Sequence, residues 1–194
     1  MKKVLISVAV SLLAIGHVAA QESGWMLRAR AVQVKMQDNG TSGLGWTAEN
    51  KSLAAVDASY FLNKNVAVEL LWVPSQNHAV KAAGVTQGAF AVSPHALVLQ
   101  YHLTNWALVQ PYLGGGINNT QYSSANFTGS KTVDRSSWGA ALQIGVNFPI
   151  DKNWLINVDM KKLYSQTDIE SAGVQQGTLK LNPMLTGLGV GYRF

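Results

Sequence analysis

The chain has 194 residues, 18 of them glycine and none of them cysteine, and this length fits a single domain. Only 13% of the residues are charged whereas 47% are apolar, a balance that excludes a disordered chain and is unusual for a soluble enzyme. The absence of cysteine excludes disulfides, thiolate metal sites and a cysteine nucleophile. Beyond the N-terminus no segment approaches the roughly 20 apolar residues of a membrane-spanning helix, so the apolar residues are dispersed along the chain.

The N-terminus is typical of a removable export signal. Two lysines precede a mostly apolar stretch over residues 4–18, and the small residues up to Ala20 fit a signal-peptidase site. We therefore predict a signal peptide over residues 1–20 and a single mature domain over residues 21–194. Its removal lowers the formal net charge from +5 to +3, and no basic cluster remains to indicate a nucleic-acid partner.

From Trp25 onward the apolar residues alternate with period two, which predicts β-strands with two different faces. The clearest segment runs from Trp138 to Phe148, where apolar side chains take the even positions and small or amide side chains take the odd ones. The alternation recurs in seven further segments, which begin near Trp25, Leu53, Val66, Leu97, Gln110, Trp154 and Leu188. The sequence therefore predicts eight strands.

The connections between these strands alternate in length. Short turns, rich in Asn, Asp, Pro and Lys, lie at residues 63–65, 104–105 and 149–153. Long polar or glycine-rich connections lie at about residues 37–50, 74–93, 123–135 and 165–177. All short turns and both termini then fall at one end. This layout predicts an all-β fold, an eight-stranded antiparallel up-and-down barrel.

The second face of the strands indicates that the barrel lies in a membrane. A soluble barrel would place charged residues and threonine on its outer face, whereas the second face of residues 138–148 carries Gly, Ala, Gln, Gly and Asn, which suit a crowded lumen. The apolar faces end in aromatic residues, as in the lipid-facing band of bacterial outer-membrane barrels. The predicted aromatic girdles contain Trp25, Tyr60, Tyr101, Phe148, Trp154 and Tyr192 at the turn end, and Trp72 and Trp138 at the loop end.

Several blocks of the sequence resemble the outer membrane protein W family, whose members are eight-stranded barrels of the bacterial outer membrane. These blocks are residues 68–71, 111–118, 137–146, 153–157 and 181–194. The resemblance covers the whole mature chain and is weakest in the external loops. It implies a monomeric transmembrane barrel that provides a passive route for small, mainly hydrophobic molecules, with a sideways exit into the membrane as one option.

The resemblance also implies partners. They are outer-membrane lipid, small hydrophobic solutes and the barrel-assembly machinery. The Tyr-x-Phe ending is common to many outer-membrane barrels, and it marks Tyr192 and Phe194 as a C-terminal assembly signal.

The residues expected inside the barrel leave two functions open. Leu71 matches a family position that constricts the lumen, whereas Lys161 falls where the family can carry an aromatic residue. Because side chains nearly fill an eight-stranded barrel, its inner charges must be paired or hydrated. They can line a path for solutes, or they can form a structural plug in a barrel whose external loops bind a surface partner or support stress resistance. The predicted lumen-lining residues are Arg28, Arg30, Glu69, Leu71, Gln100, Gln143, Asn157, Asp159 and Lys161.

No arrangement of residues indicates an enzyme, a cofactor or a metal site. After the predicted cleavage His78, His95 and His102 remain, and none has the spacing of a zinc ligand pair. His102 shares a strand face with Thr104, but no third catalytic group accompanies them. His78 falls in a predicted long connection, where we expect it to be exposed to solvent. We therefore predict a barrel without catalytic activity or cofactor.

Overall fold

The computed structural model describes residues 24–36, 46–82, 85–106, 108–127, 131–171 and 174–194. The predicted signal peptide lies outside these residues. Every regular element among them is a β-strand. No helix in this part of the chain is long and apolar enough to cross a membrane.

The strands of the described residues form one closed barrel with short extensions at one end. In chain order they are β1 (Trp25–Lys35), β2 (Trp46–Ala48), β3 (Lys51–Phe61), β4 (Val66–Trp72), β5 (Gln76–Ala82), β6 (Val85–His102), β7 (Gln110–Phe127), β8 (Lys131–Val133), β9 (Ser136–Pro149), β10 (Trp154–Leu163), β11 (Gln166–Ser171), β12 (Val174–Lys180) and β13 (Met184–Arg193). The barrel order is β1, β3, β4, β6, β7, β9, β10, β13, and every neighbouring pair is antiparallel.

The barrel closes between its first and last strands. Leu27 of β1 lies opposite Tyr192 of β13, and the pairing continues to Lys35 opposite Met184. Beyond this ladder, the Phe194 N–H donates to the Trp25 carbonyl at 3.0 Å. This closure confirms the predicted eight-stranded antiparallel barrel, and it leaves the closing strands without unpaired edges.

Short connections and both ends of the described chain lie at one end of the barrel, called the turn end below; the opposite end is the loop end. The connection after β9 has the predicted hairpin chemistry, because Asp151 Oδ1 accepts the N–H groups of Asn153 at 2.8 Å and Trp154 at 2.7 Å. The connection predicted at residues 104–105 is longer, since β6 ends at His102 and β7 begins at Gln110.

The long connections at the loop end differ from the prediction, because much of their length is strand. β6 begins at Val85, inside the connection expected over residues 74–93, and pairs with β5 from Gln76 opposite Val92. β8, β11 and β12 form a separate three-stranded sheet from the two later connections. These segments lack clear alternation, so the hairpin pairing of their backbone groups was not visible in the hydropathy pattern.

His78 is buried, so the expectation that it is exposed to solvent is wrong. Its side chain is 2% exposed, and its Nδ1 lies 2.7 Å from the Glu49 carbonyl oxygen, as a donor would. The reason is that β5 continues the barrel wall beyond β4, paired between β2 and β6, and buries the alternate side chains of His78 and Val80.

Candidate functional site: the barrel lumen

The inward side chains change character halfway along the lumen. On β1 the inward positions run from Arg28 and Arg30 near the turn end to Val32 and Val34 near the loop end, and all four are buried. The same change occurs on β4. The polar layer contains Arg28, Arg30, Asp57, Ser59, Glu69, Gln100, His102, Tyr112, Gln143, Asn147, Asn157, Asp159 and Lys161. The apolar layer contains Val32, Val34, Leu71, Val73, Val80, Phe90, Val92, Val98, Leu163, Leu181 and Leu185.

Arg28 lies at the centre of the polar layer. Its Nε donates to Asp57 Oδ1 at 2.6 Å and its Nη1 to the Tyr112 hydroxyl at 3.3 Å. It also donates from Nη2 to Ser59 Oγ at 3.1 Å and forms an ion pair with Glu69. One arginine thereby links β1 to three other strands, since its partners come from β3, β4 and β7.

The remaining charges complete a balanced network. Arg30 Nη2 lies 2.6 Å from the second oxygen of Asp57, and Arg30 also pairs with Asp159. Lys161 Nζ lies 3.1 Å from Glu69 Oε1 and also pairs with Asp159. Three cations thus face three carboxylates, and none of these side chains is more than 2% exposed. Pairing of this kind is what allows charges to remain in so narrow a space.

Two glutamine side chains link the charges across the lumen. Gln143 Nε2 donates to Asp159 Oδ2 at 2.9 Å and to Glu69 Oε2 at 3.2 Å. Gln100 Nε2 donates to Glu69 Oε2 at 2.7 Å and to Gln143 Oε1 at 3.0 Å. The network therefore spans β4, β6, β9 and β10 as well as β1 and β3.

Glycine positions make room for these large side chains. A Cβ added at Gly145 would lie 2.5 Å from the Tyr112 hydroxyl, and one at Gly189 would overlap with Arg30 Cγ. Tyr112 is held in this space by Asn157, whose Nδ2 donates to its hydroxyl at 3.0 Å. The barrel glycines thus explain how an eight-stranded lumen accommodates arginine and tyrosine together.

A stack of aromatic rings lies at the turn end of the polar layer. The rings of His102 and Tyr112 stack with centroids 4.7 Å apart, and the Phe61 ring is tilted relative to His102 with centroids 5.0 Å apart. The guanidinium of Arg193 lies 4.2 Å above the Phe61 ring. The stack covers the charge network on the side that leads to the turn end.

The apolar layer begins immediately above the network. Leu71 is 1% exposed and packs in one cluster with Val98, Leu163 and Leu185. One side of this layer is polar: Asn118 on β7 donates from Nδ2 to the carbonyls of Ala140 at 2.7 Å and Tyr164 at 3.1 Å. The half of the lumen nearer the loop end is therefore mainly apolar, with a polar side chain contributed by β7.

The structure places all nine sequence-predicted lumen residues inside the barrel, with exposed fractions of 5% or less. Asp57 lies outside the predicted set of lumen residues, although it alternates with the outward Val56 and Ala58. Tyr112 also lies outside this set, because the sequence predicts aromatic residues in the outer girdles. Ser59 is a further inward residue outside the predicted set, whereas Asn147 lies on the strand face that the sequence predicts to line the lumen.

The residues of the predicted girdles point away from the lumen. Trp25, Tyr60, Trp72, Tyr101, Trp138, Phe148 and Trp154 are 39–70% exposed, and Tyr192 is half-buried. At the turn end they form contacts: the Trp25 and Tyr60 rings lie 5.0 Å apart, and the Tyr192 ring lies 4.9 Å from Trp154 and 5.0 Å from Phe194. Among the described side chains no group of three or more His, Asp or Glu residues could hold a metal ion.

Both the sequence and the fold of this chain are similar to those of known proteins. The model of the OmpW family matches residues 18–194. The uncharacterised outer-membrane protein y4mB of Sinorhizobium fredii is 35% identical over 189 residues, covering 91% of this chain and 82% of that protein. The dibenzothiophene metabolism operon protein PahQ of Pseudomonas aeruginosa is 27% identical over 191 residues, covering 90% of each. The crystal structure of OprG from Pseudomonas aeruginosa is similar in fold, with a TM-score of 0.74 and 20% identity over 90% of this chain and 97% of that one.

Proposed function

Since the chain belongs to the OmpW family of outer-membrane barrels, we propose that it gives small, mainly hydrophobic molecules a passive route into the outer membrane. The observation that carries this proposal is the change from an apolar to a charged lining halfway along the lumen. The relative PahQ is named as a protein of a dibenzothiophene metabolism operon. This name supports an aromatic or hydrocarbon solute.

The apolar layer favours entry from the loop end. A hydrophobic molecule that leaves water for the surroundings of Leu71 and Val98 gains about 25 cal/mol for each Å² of apolar surface buried. The side chains of this layer contact one another, so entry requires them to separate. The hairpin extensions of the loop end lie around the entrance, and their displacement would admit a solute.

The polar layer opposes a straight passage to the turn end. An apolar solute would have to separate Arg28, Glu69 and Asp159 from their partners, and uncompensated buried charges are costly. The solute therefore leaves sideways between strands, into the lipid that surrounds the outward face. In this proposal the lumen-lining residues of the polar layer act as a floor and those of the apolar layer as the binding surface.

Other residues assigned from the sequence have supporting roles in the same proposal. The outward aromatic residues form two girdles that fix the depth of the barrel in the membrane. Tyr192 and Phe194 are the signal by which the assembly machinery recognises the last strand. The barrel acts as a monomer and uses neither a cofactor nor catalysis.

Uptake by proteoliposomes tests the route. Purified protein in vesicles should accelerate the uptake of n-octane relative to empty vesicles, and Leu71→Arg should slow it by placing a charge in the apolar layer. The matched control is Glu69→Gln with Lys161→Met, which removes one charge of each sign from the floor. Because the exit lies above the floor, this control should keep the wild-type rate; uptake equal to that of empty vesicles would contradict the route.

The charge network favours a second candidate function, a closed barrel whose external loops bind a surface partner or support stress resistance. In that case the network is a structural plug with no solute above it. Shortening the hairpin of β11 and β12 should then remove the phenotype of the cell, whereas Leu71→Arg should leave it unchanged. The first proposal makes the opposite prediction for Leu71→Arg.

A further inference from the structure

A cleft opens on the outer wall of the barrel, near the loop end. Its volume is about 460 Å³, and side chains of β9, β11 and β12 line it together with Tyr164, which follows β10. Trp138 of β9 also lines it and is 70% exposed, and Tyr164 is 43% exposed, so both rings are open to the surroundings of the barrel. It is called the outer cleft below.

The register of the strands places the outer cleft at the edge of the lipid-facing band. On β10 the outward positions run from Met160 to Lys162, and Tyr164 is the next outward residue. Lys35 of β1 lies at the level of Lys162, because both are opposite Met184 of β13. Lysine and aromatic side chains are typical of the membrane interface. Because the loop end of such a barrel faces the outside of the cell, the outer cleft lies among the lipid head groups of the outer leaflet.

A positive charge lies at the membrane side of the outer cleft. Lys162 Nζ donates to the carbonyl of Asn182 at 2.7 Å and lies 6.0 Å from the centre of the Tyr164 ring. Both Asn182 and Tyr164 line the cleft, so these contacts hold the ammonium group at its edge. Lys180 adds a second positive charge from the wall that β12 contributes. Both lysines would attract an anionic group of a lipid at this level.

The outer cleft also contains two carboxylates, from Asp134 and Asp168. Asp134 Oδ2 accepts the Asp168 N–H at 2.9 Å, and Asp168 Oδ1 accepts the Thr178 hydroxyl at 2.5 Å. The Asp134 N–H donates to Thr167 Oγ1 at 3.1 Å, which fixes its backbone as well. Because a carboxylate can accept several hydrogen bonds, both groups retain the capacity to accept from hydroxyl groups of a ligand.

This combination of groups favours one class of lipid head group. The two lysines are matched by two carboxylates, so a head group with only phosphate would be repelled by the carboxylates as well as attracted by the lysines. A sugar ring provides hydroxyl donors for the carboxylates, and its apolar C–H face can pack against the exposed rings of Trp138 and Tyr164.

We propose that the outer cleft binds the phosphorylated sugar head group of an outer-leaflet glycolipid. The phosphate lies beside Lys162 and Lys180, and the sugar ring lies against Trp138. Its hydroxyl groups donate to Asp134 and Asp168. The acyl chains of the lipid extend along the outward apolar face of β9 and β10. This ligand is distinct from the solute of the proposed function, because it remains on the outer wall of the barrel.

Native mass spectrometry tests the preference for a sugar. The folded barrel in detergent micelles is incubated with equal amounts of lipid A, a phosphorylated glucosamine disaccharide with acyl chains, and cardiolipin, which carries two phosphates and four acyl chains but no sugar. The lipid A adduct should exceed the cardiolipin adduct about 5- to 10-fold, as additional hydrogen bonds and a ring contact predict. Trp138→Ala should abolish this preference. The matched control Trp72→Ala, which removes an outward tryptophan on β4, should retain it.

A second pair of variants tests the phosphate contact. Lys162→Gln combined with Lys180→Gln should lower the lipid A adduct about 5- to 10-fold. Lys35→Gln removes an outward lysine at the same level but outside the cleft, and it should leave the adduct nearly unchanged. Equal adducts of the two lipids in the wild-type protein, a preference that survives Trp138→Ala, or an equal loss in Lys35→Gln would overturn the inference. Octane uptake into vesicles without glycolipid tests the proposed function separately.

Discussion

Asp57 forms ion pairs with two arginines: its Oδ1 lies 2.6 Å from Arg28 Nε, and its Oδ2 lies 2.6 Å from Arg30 Nη2. The two arginines occupy successive inward positions of β1, so their guanidinium groups would repel each other without the carboxylate between them. Arg28 also pairs with Glu69 and Arg30 with Asp159, but Asp57 is the carboxylate that both arginines share.

Neutralising Asp57 should therefore destabilise the barrel strongly. In Asp57→Asn three cations face two carboxylates in a space with no access to water. The free energy of unfolding should fall by about 3–5 kcal/mol, the usual cost of removing one partner from a buried ion pair. Urea unfolding of the protein refolded into vesicles, followed by tryptophan fluorescence, measures the change.

A charge-balanced variant is the control for Asp57→Asn. Asp57→Leu combined with Arg30→Met leaves two cations and two carboxylates in the polar layer. This double variant should lose less stability than the single one, because apolar replacement of a whole buried ion pair is often close to neutral. A double variant that is as unstable as Asp57→Asn would show that packing, not charge balance, determines the effect.

The barrel and its inward face could be predicted from the sequence because both depend on period two. Each strand that crosses the membrane has one apolar face and one small or polar face. Within one strand, an odd or even residue number therefore tells whether the side chain faces the lumen or the lipid. Asp57 follows this rule. It was missed because the surrounding segment, residues 53–62, has small residues on both faces and therefore alternates weakly.

The pairing inside the lumen could not be predicted, because it depends on contacts between distant strands. Arg28 lies directly opposite Asp57 on the adjacent strand, a relation that a register prediction could have found. Lys161 and Glu69, in contrast, meet across the lumen from β10 and β4, which are not neighbours in the barrel. The hairpins of the loop end were missed for another reason: polar and apolar residues are mixed on both faces of their strands, so no alternation marks them.

A substitution at Ile144 tests the assignment of the lipid-facing side of the barrel. Ile144 is 63% exposed and lies between the outward Leu113 and Met160 on the neighbouring strands. Ile144→Arg places a charge in the lipid-facing band and should lower the free energy of unfolding in vesicles by about 2–4 kcal/mol. The matched control is Ile150→Arg, since Ile150 is also 63% exposed but lies in the turn after β9. It should cost only about 0–1 kcal/mol, and equal costs would reject the assigned facing.

The β5 hairpin should lose protection in mild acid because of His78. Burial lowers the pKa of this histidine, and the positive charge of Lys51 lowers it further, while the hydrogen bond to the Glu49 carbonyl acts in the opposite direction. Because the folded pKa lies below the unfolded value of about 6.5, the unfolded hairpin binds a proton first as the pH falls. The hairpin is therefore fully stable above the unfolded pKa and loses stability as the pH falls through the folded pKa.

Hydrogen exchange measures this pH dependence. Protection factors of residues 76–82, corrected for intrinsic exchange, should fall between pH 7.5 and pH 5, and the fall should disappear in His78→Gln. Glu49, whose pKa is lowered by its hydrogen bond and ion pair with Lys51, stays ionised in this range. An unchanged pH dependence in His78→Gln would assign the effect to another group.

The C-terminal aromatic residues should matter more for assembly in the cell than for the finished barrel. Tyr192 contacts Trp154 and Phe194, and the Phe194 N–H bonds to Trp25 across the closing strands. Tyr192→Ala combined with Phe194→Ala should lower the amount of folded barrel in the outer membrane several-fold, as measured by the heat-dependent shift in gel mobility. Tyr101→Ala, which removes an outward aromatic residue of similar position on β6, should have a smaller effect. Because a recognition signal acts through the assembly machinery, the purified double variant should still refold into vesicles; failure there would assign the loss to barrel stability instead.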